Sequence, residues 1–167
     1  MGAMLRQAIG VTWKRNREYA LRLVRELEPD QWLTQPVPGH TMNHPAWILS
    51  HLNVYAPIVS AMLRREGFED PIEHRHGQKS KVSMDAGEYL PAAALTAEYV
   101  RLHDEALLSL GAADDSVFGE PNPLERWRAV HPTVGDMLVT LMVKHESGHL
   151  GQLSAWRRAM GLAPVAM

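Results

Sequence analysis

An all-α four-helix bundle with long connections, in one domain over residues 1–167, is the fold class this sequence predicts, and three observations predict it. Four segments carry apolar residues at helical spacing. Stretches rich in Pro and Gly separate them. No run alternates apolar and polar residues strongly enough to build a sheet, and no internal repeat is present. With 167 residues, 46% of them hydrophobic, the chain is long enough for a single domain with a proper core.

The first helix is read over about Ala3 to Glu28, where Leu5, Ile9, Trp13, Ala20, Leu23, Val24 and Leu27 form a stripe that Pro29 ends. Thr34 to His44 is a loop, and Pro45 suits the first turn of a second helix running to Gly67. That helix is apolar on most sides, as a central bundle helix should be. Pro57 inside it is expected to kink it or leave the Asn53 carbonyl free, close to the chemistry. Phe68 to Ser83 is polar and reads as a solvated crossover, with no ligand role expected for His74 or His76. A third helix spans Asp85 or Pro91 to Leu110, with Gly111 as its stop. A second long loop follows from Ala112 to His131. Thr133 and Asp136 then cap a fourth helix, Val134 to Met160, which stops at Gly161.

Charge excludes some partners. A net charge of −2, with no basic run longer than a pair such as Arg64-Arg65, leaves no footprint for nucleic acid or an anionic membrane. No signal pattern precedes Trp13. The longest nearly apolar stretch, Val54 to Leu63, is too short to span a bilayer, so a cytoplasmic protein is expected. There is no cysteine, so a metal must be held by nitrogen and oxygen, and a thiol must be brought in.

The chemistry-bearing motif is H-E-S-G-H, His145 to His149. Histidines four apart lie one helical turn apart on one face and can grip one ion. Both continue the stripe of Val134, Leu138, Leu141 and Met142, which aims them at the core. A lone core histidine usually just bonds a buried carbonyl, but two at this spacing are served more simply by one cation. Gly148 and Gly151 fit a close approach of backbone or ligand. From Leu150 to Met167 there is no His, Asp, Glu or Cys, and Gln152 and Ala155 stand where the extended protease motif has Gly and His. The third ligand therefore comes from upstream. His51, inward on the second helix between Trp47 and Tyr55, ranks first. His103, read as half-exposed, ranks second, and His44, read as a helix-start residue, third.

W-I-L-S-H-L at Trp47 to Leu52, K-H-E-S-G-H-L-G-Q-L at Lys144 to Leu153 and R-R-A-M-G-L after it resemble the DinB-like superfamily, which includes the YfiT-type proteins. The resemblance implies a metal-binding four-helix bundle in which His51, His145 and His149 hold a divalent ion such as zinc or nickel, leaving positions for water or substrate. It also implies a homodimer, an expectation shared by the extensive apolar surface on both sides of the second helix. Members of that superfamily include S-transferases that use low-molecular-weight thiols such as bacillithiol or mycothiol, and mycothiol-dependent isomerases. A metal-dependent thiol S-transferase, joining a small thiol to an electrophile, is the function expected from this resemblance and an open three-histidine site. Glu146, Gln152 and Tyr55 are expected to support the ligands or touch substrate. The alternatives are a metallohydrolase with Glu146 as its base, and a non-catalytic metal-stabilised bundle.

Overall fold

The computed structural model describes residues 2–166 and is all-α, with four helical rods. These are α1 (Gly2–Val24), α2 (Pro45–Arg64), α3 (Ala92–Ala112) and a composite last rod. The last rod consists of α4 (Val134–Val139), a π-helical segment (Thr140–His145) and α5 (Glu146–Ala159). Among the described residues the one strand-type pairing is an isolated bridge between Pro121 and Thr133.

Helix ends depart from the sequence reading for local reasons. α1 stops at Val24, because Glu28 caps a short 3-10 turn, Pro29–Leu33. α2 stops at Arg64, with Arg65 left-handed at φ 59° and the Glu66 N–H closing back on the Ala61 carbonyl. α3 runs past Gly111 and ends on Ala113 in extended backbone, so Gly111 is not its stop. The Thr133–Asp136 capping box and the left-handed Gly161, φ 74°, stand where expected.

α2 is the central helix, buried over most of its length and packed on α3. As a whole it is long and apolar enough to cross a membrane, unlike the shorter Val54–Leu63 stretch, but 83% of that window is buried inside the fold. It continues helical through Pro57, whose ring is exposed. Pro57 has no N–H for the Asn53 carbonyl, and both residues border a groove that His74 and His76 also line, not the cavity that His51, His145 and His149 line. The expected closeness of Pro57 to the chemistry is thus corrected.

The core has two apolar halves. One gathers Ile9, Trp13, Val59, Leu102, Leu138 and Met142; the other gathers Leu23, Ile48, Leu49, Leu95, Leu150 and Trp156. On α2, α3 and the last rod the change of half falls close to His51, His103 and Glu146, all at most 4% exposed. A polar layer therefore crosses the bundle at one level. Burying such groups is costly unless they find partners, so their partners identify the site.

Candidate metal centre

His51 is placed by the start of α2. His44 is its N-cap: Nδ1 accepts from the Trp47 N–H at 3.2 Å, and Nε2–H donates to the Ser83 carbonyl at 2.8 Å. Both nitrogens of His44 are thereby used, which fits the capping role. One turn on, the Trp47 ring stacks on His51, centroids 4.7 Å apart, and Tyr55 covers it from the next turn at 5.0 Å.

The last rod does not hold the expected register. Continuing the stripe of Val134 and Leu138 at regular spacing would aim His145 and His149 into the core. Instead Glu146, Leu150, Leu153 and Arg157 are buried, while His145 and His149 are half-buried. The cause is the π-helical segment ending at His145, whose wider turn advances the register by one residue. The imidazoles turn to the rim of the core, and Glu146 turns inward rather than flanking the pair.

Three ring nitrogens converge. His145 Nε2 lies 2.9 Å from His51 Nε2 and 3.2 Å from His149 Nε2, and the three ligand atoms fall within 4.8 Å of one another. Two ligands of a tetrahedral zinc, each at about 2.0–2.1 Å, stand roughly 3.3 Å apart, so the spacing fits one ion. Proton counting points the same way. His51 Nδ1 meets the His76 carbonyl at 2.6 Å, and a carbonyl only accepts, so His51 Nδ1 carries the proton and its Nε2 presents a lone pair. His149 Nδ1 likewise donates to Gln152 Oε1 at 3.0 Å. Two lone pairs then face His145 Nε2, which has at most one hydrogen to offer. A cation would satisfy all three, and the outer hydrogen bonds from His51 and His149 are those that orient metal-ligating histidines.

Burial, with the neighbouring histidines, pushes His51 down to about 4 and His145 down to about 3; burial also lowers His149. All three are neutral at pH 7, the form that binds metal.

The crossover loop is part of this arrangement, contrary to its reading as solvated chain. His76 is buried and supplies the carbonyl that fixes His51. Gly77 lets the loop fold this tightly: a Cβ there would meet the Pro71 carbonyl oxygen at 2.0 Å. Gly148 and Gly151 have no such reason, since nothing lies within 4 Å of a Cβ on either. Gly148 borders open cavity instead.

Glu146 and His103 belong to a different cluster. Glu146 is 2% exposed and accepts a short hydrogen bond from the Tyr99 hydroxyl. Burial, then the adjacent Glu146 charge, push the Tyr99 phenol well above its usual range, so it stays a donor. His103 Nε2 is 3.0 Å from Glu146 Oε1, but among the described residues neither His103 nitrogen has hydrogen-bond geometry to a partner, so the two groups are close without being bonded. The His103 ring is fully buried between Trp13, stacked at 3.8 Å, and Tyr99 at 4.1 Å, rather than half-exposed.

A cavity of about 420 Å³ opens beside the three histidines, walled by Trp47, Tyr55, Trp127 and Leu141. Gln152 and Tyr55 both line it. Gln152 also accepts from Asn43 Nδ2 at 2.8 Å, so its amide holds His149 in place. Tyr55, its phenol raised by burial, remains protonated. Sequence reading did not find Arg126, Trp127 and Lys144 in this wall. The dense Arg and Trp content of Leu124–His131 was the available signal.

A model of the DinB superfamily matches residues 12–153, a stretch that includes His51, His145 and His149. No curated protein and no solved structure gave a match. The chain belongs to the DinB superfamily.

Proposed function

We propose that this DinB-superfamily protein holds one divalent ion, zinc or nickel, on His51, His145 and His149, and transfers a low-molecular-weight thiol to an electrophile. The observation that carries the reading is a three-nitrogen cluster with a cavity on its open side, lined by no carboxylate. A structural zinc is normally closed by four protein ligands; three with open space suit a reactive site. The ion, when bound, supplies a Lewis acid that lowers the pKa of a thiol.

The chain's own groups then have definable tasks. The His76 carbonyl and the Gln152 amide keep the His51 and His149 lone pairs aimed inward. The Trp47 and Tyr55 rings, packed on His51, keep that side of the site dry. The protonated Tyr55 hydroxyl can donate a hydrogen bond to charge developing on the electrophile. The transferred thiol gives up its S–H proton to solvent, and its sulfur forms the new bond to carbon as the bond from that carbon to the electrophile's leaving group breaks, the leaving group departing to solvent with the electron pair. Glu146 is committed to Tyr99 on the other side of the helix, which leaves the hydrolase alternative without its base.

A homodimer and a cytoplasmic location remain part of the proposal. The dimer rests on the family resemblance and on the frequency of closed pairs. α2 lends it nothing, because its apolar faces are buried within the chain.

The test is loss of free thiol when metal-loaded protein meets a panel of small thiols and a generic electrophile, with a chelator-treated control. Metal-dependent consumption of thiol is expected. Thiol-independent amide hydrolysis that disappears in Glu146→Gln would overturn the reading.

A further inference from the structure

Charge around the cavity is one-sided. None of the described residues lining it is acidic, while Lys144 and Arg126 both line it. The three histidines are neutral ligands, so a divalent ion there would keep its full charge. Lys144 is exposed and has no carboxylate within ion-pair distance among the described residues. The one carboxylate near its end of the rod, Glu146, is turned away into the core.

Arg126 differs from Lys144 in being held still. Its Nε and Nη2 donate to the two Asp70 oxygens at 2.6 and 2.9 Å, Nη1 donates to Gln78, and its guanidinium lies 5.1 Å from the Trp127 ring centre. Three of its N–H groups are thereby used. A guanidinium has five; the Tyr55 hydroxyl beside it can take one, and what is left over is already held in orientation for a ligand. Asp70 offsets its charge, so Arg126 supplies direction and Lys144 supplies net attraction. A pocket with apolar walls, a fixed guanidinium and one free cation concentrates field on an anion.

We propose that the ligand taken by this cavity carries a carboxylate in addition to its reacting group, and that Lys144 and Arg126 recognise it. This rests on the thiol-transfer reading only for the identity of the reacting group. The carboxylate can sit on the thiol or on the electrophile, and the two sources are separable by probe.

Trp47 and Trp127 line the cavity and report occupancy through their fluorescence. Zinc-loaded protein is titrated with succinate against succinamide, as electrophile mimics, and with 3-mercaptopropionate against 2-mercaptoethanol, as thiols. In at least one pair the acid is expected to bind about tenfold more tightly than its neutral counterpart, with the preference weakening as salt is raised. Whichever pair shows it names the source. Lys144→Met, an exposed change that leaves the ligands in place, should lower that preference about three- to tenfold and leave the neutral probe unchanged. Arg126→Gln should do the same, and Lys144→Met decides the matter if loss of the Asp70 tie unfolds the loop. Equal binding of acid and neutral probes, or an acid preference untouched in Lys144→Met, would overturn the proposal. Protein that transfers no thiol yet discriminates carboxylates through Lys144 loses the transfer reading and keeps this one.

Discussion

Two histidine clusters lie on either side of the last helical rod, one residue apart in sequence and opposite in character. On the side of His145, three imidazoles face each other across a gap beside a cavity. On the side of Glu146, one imidazole, one phenol and one carboxylate are sealed among aromatic rings, with His103 and Glu146 each 2% exposed. The difference lies in where the unpaired nitrogens stand. In the sealed cluster the Glu146 carboxylate and Tyr99 hydroxyl serve each other, while the two unpaired His103 nitrogens are walled in between the Trp13 and Tyr99 rings. In the open cluster the outer nitrogens of His51 and His149 are satisfied and the inner ones are not. A buried polar layer becomes a candidate binding site where its unmet valences converge on open space.

The largest expected effect breaks the open cluster. His51→Ala or His149→Ala should weaken metal binding by about a hundredfold or more, because two imidazoles are a poor anchor for an open site. Elemental analysis of purified variants checks this, with His103→Ala as the contrast that should keep its metal. Full occupancy in both ligand variants, or loss in His103→Ala alone, would exchange the roles of the two clusters.

Acid should expose the same asymmetry in metal-free protein. His51 and His145 have folded-state values of about 4 and about 3, below the ordinary 6.5. The unfolded chain therefore binds more protons across that interval. The stability concerned is fully present above pH 6.5 and is lost as pH falls through about 4 and then about 3, by a total on the order of 8 kcal/mol. Urea unfolding of chelated protein at pH 7 and pH 4 measures it. In His51→Ala the difference should shrink.

The sealed cluster should answer in stability and not in metal. His103→Ala removes a fully buried ring stacked on Trp13 and should cost about 2–4 kcal/mol, measured by denaturant midpoint. Tyr99→Phe removes only the hydroxyl that serves Glu146 and should cost about 1–2 kcal/mol, with metal affinity within roughly tenfold of the parent. A metal loss in Tyr99→Phe as large as that in His149→Ala would mean that the two clusters act as one unit.

Much of this was legible in the sequence, because it depends on periods and punctuation. Four apolar stripes broken by Pro and Gly mark the helices, and the i, i+4 spacing of His145 and His149 marks a shared face. His51 stood out because its turn neighbours Trp47 and Tyr55 are large and inward. These are local properties, written in residue type and interval. The tertiary structure decided the rest. A π-helical turn that no residue between Thr140 and His145 announces moved Glu146 into the core and swung the histidines to the cavity. The partner of His51 Nδ1 is a backbone carbonyl of His76, and a carbonyl has no residue type by which a sequence could reveal it. Arg126, Lys144 and Trp127 meet His51 around one cavity only because chain far apart in sequence packs together. Interval fixes which side chains share a face; packing alone fixes where that face points and which polar atoms are left without a partner.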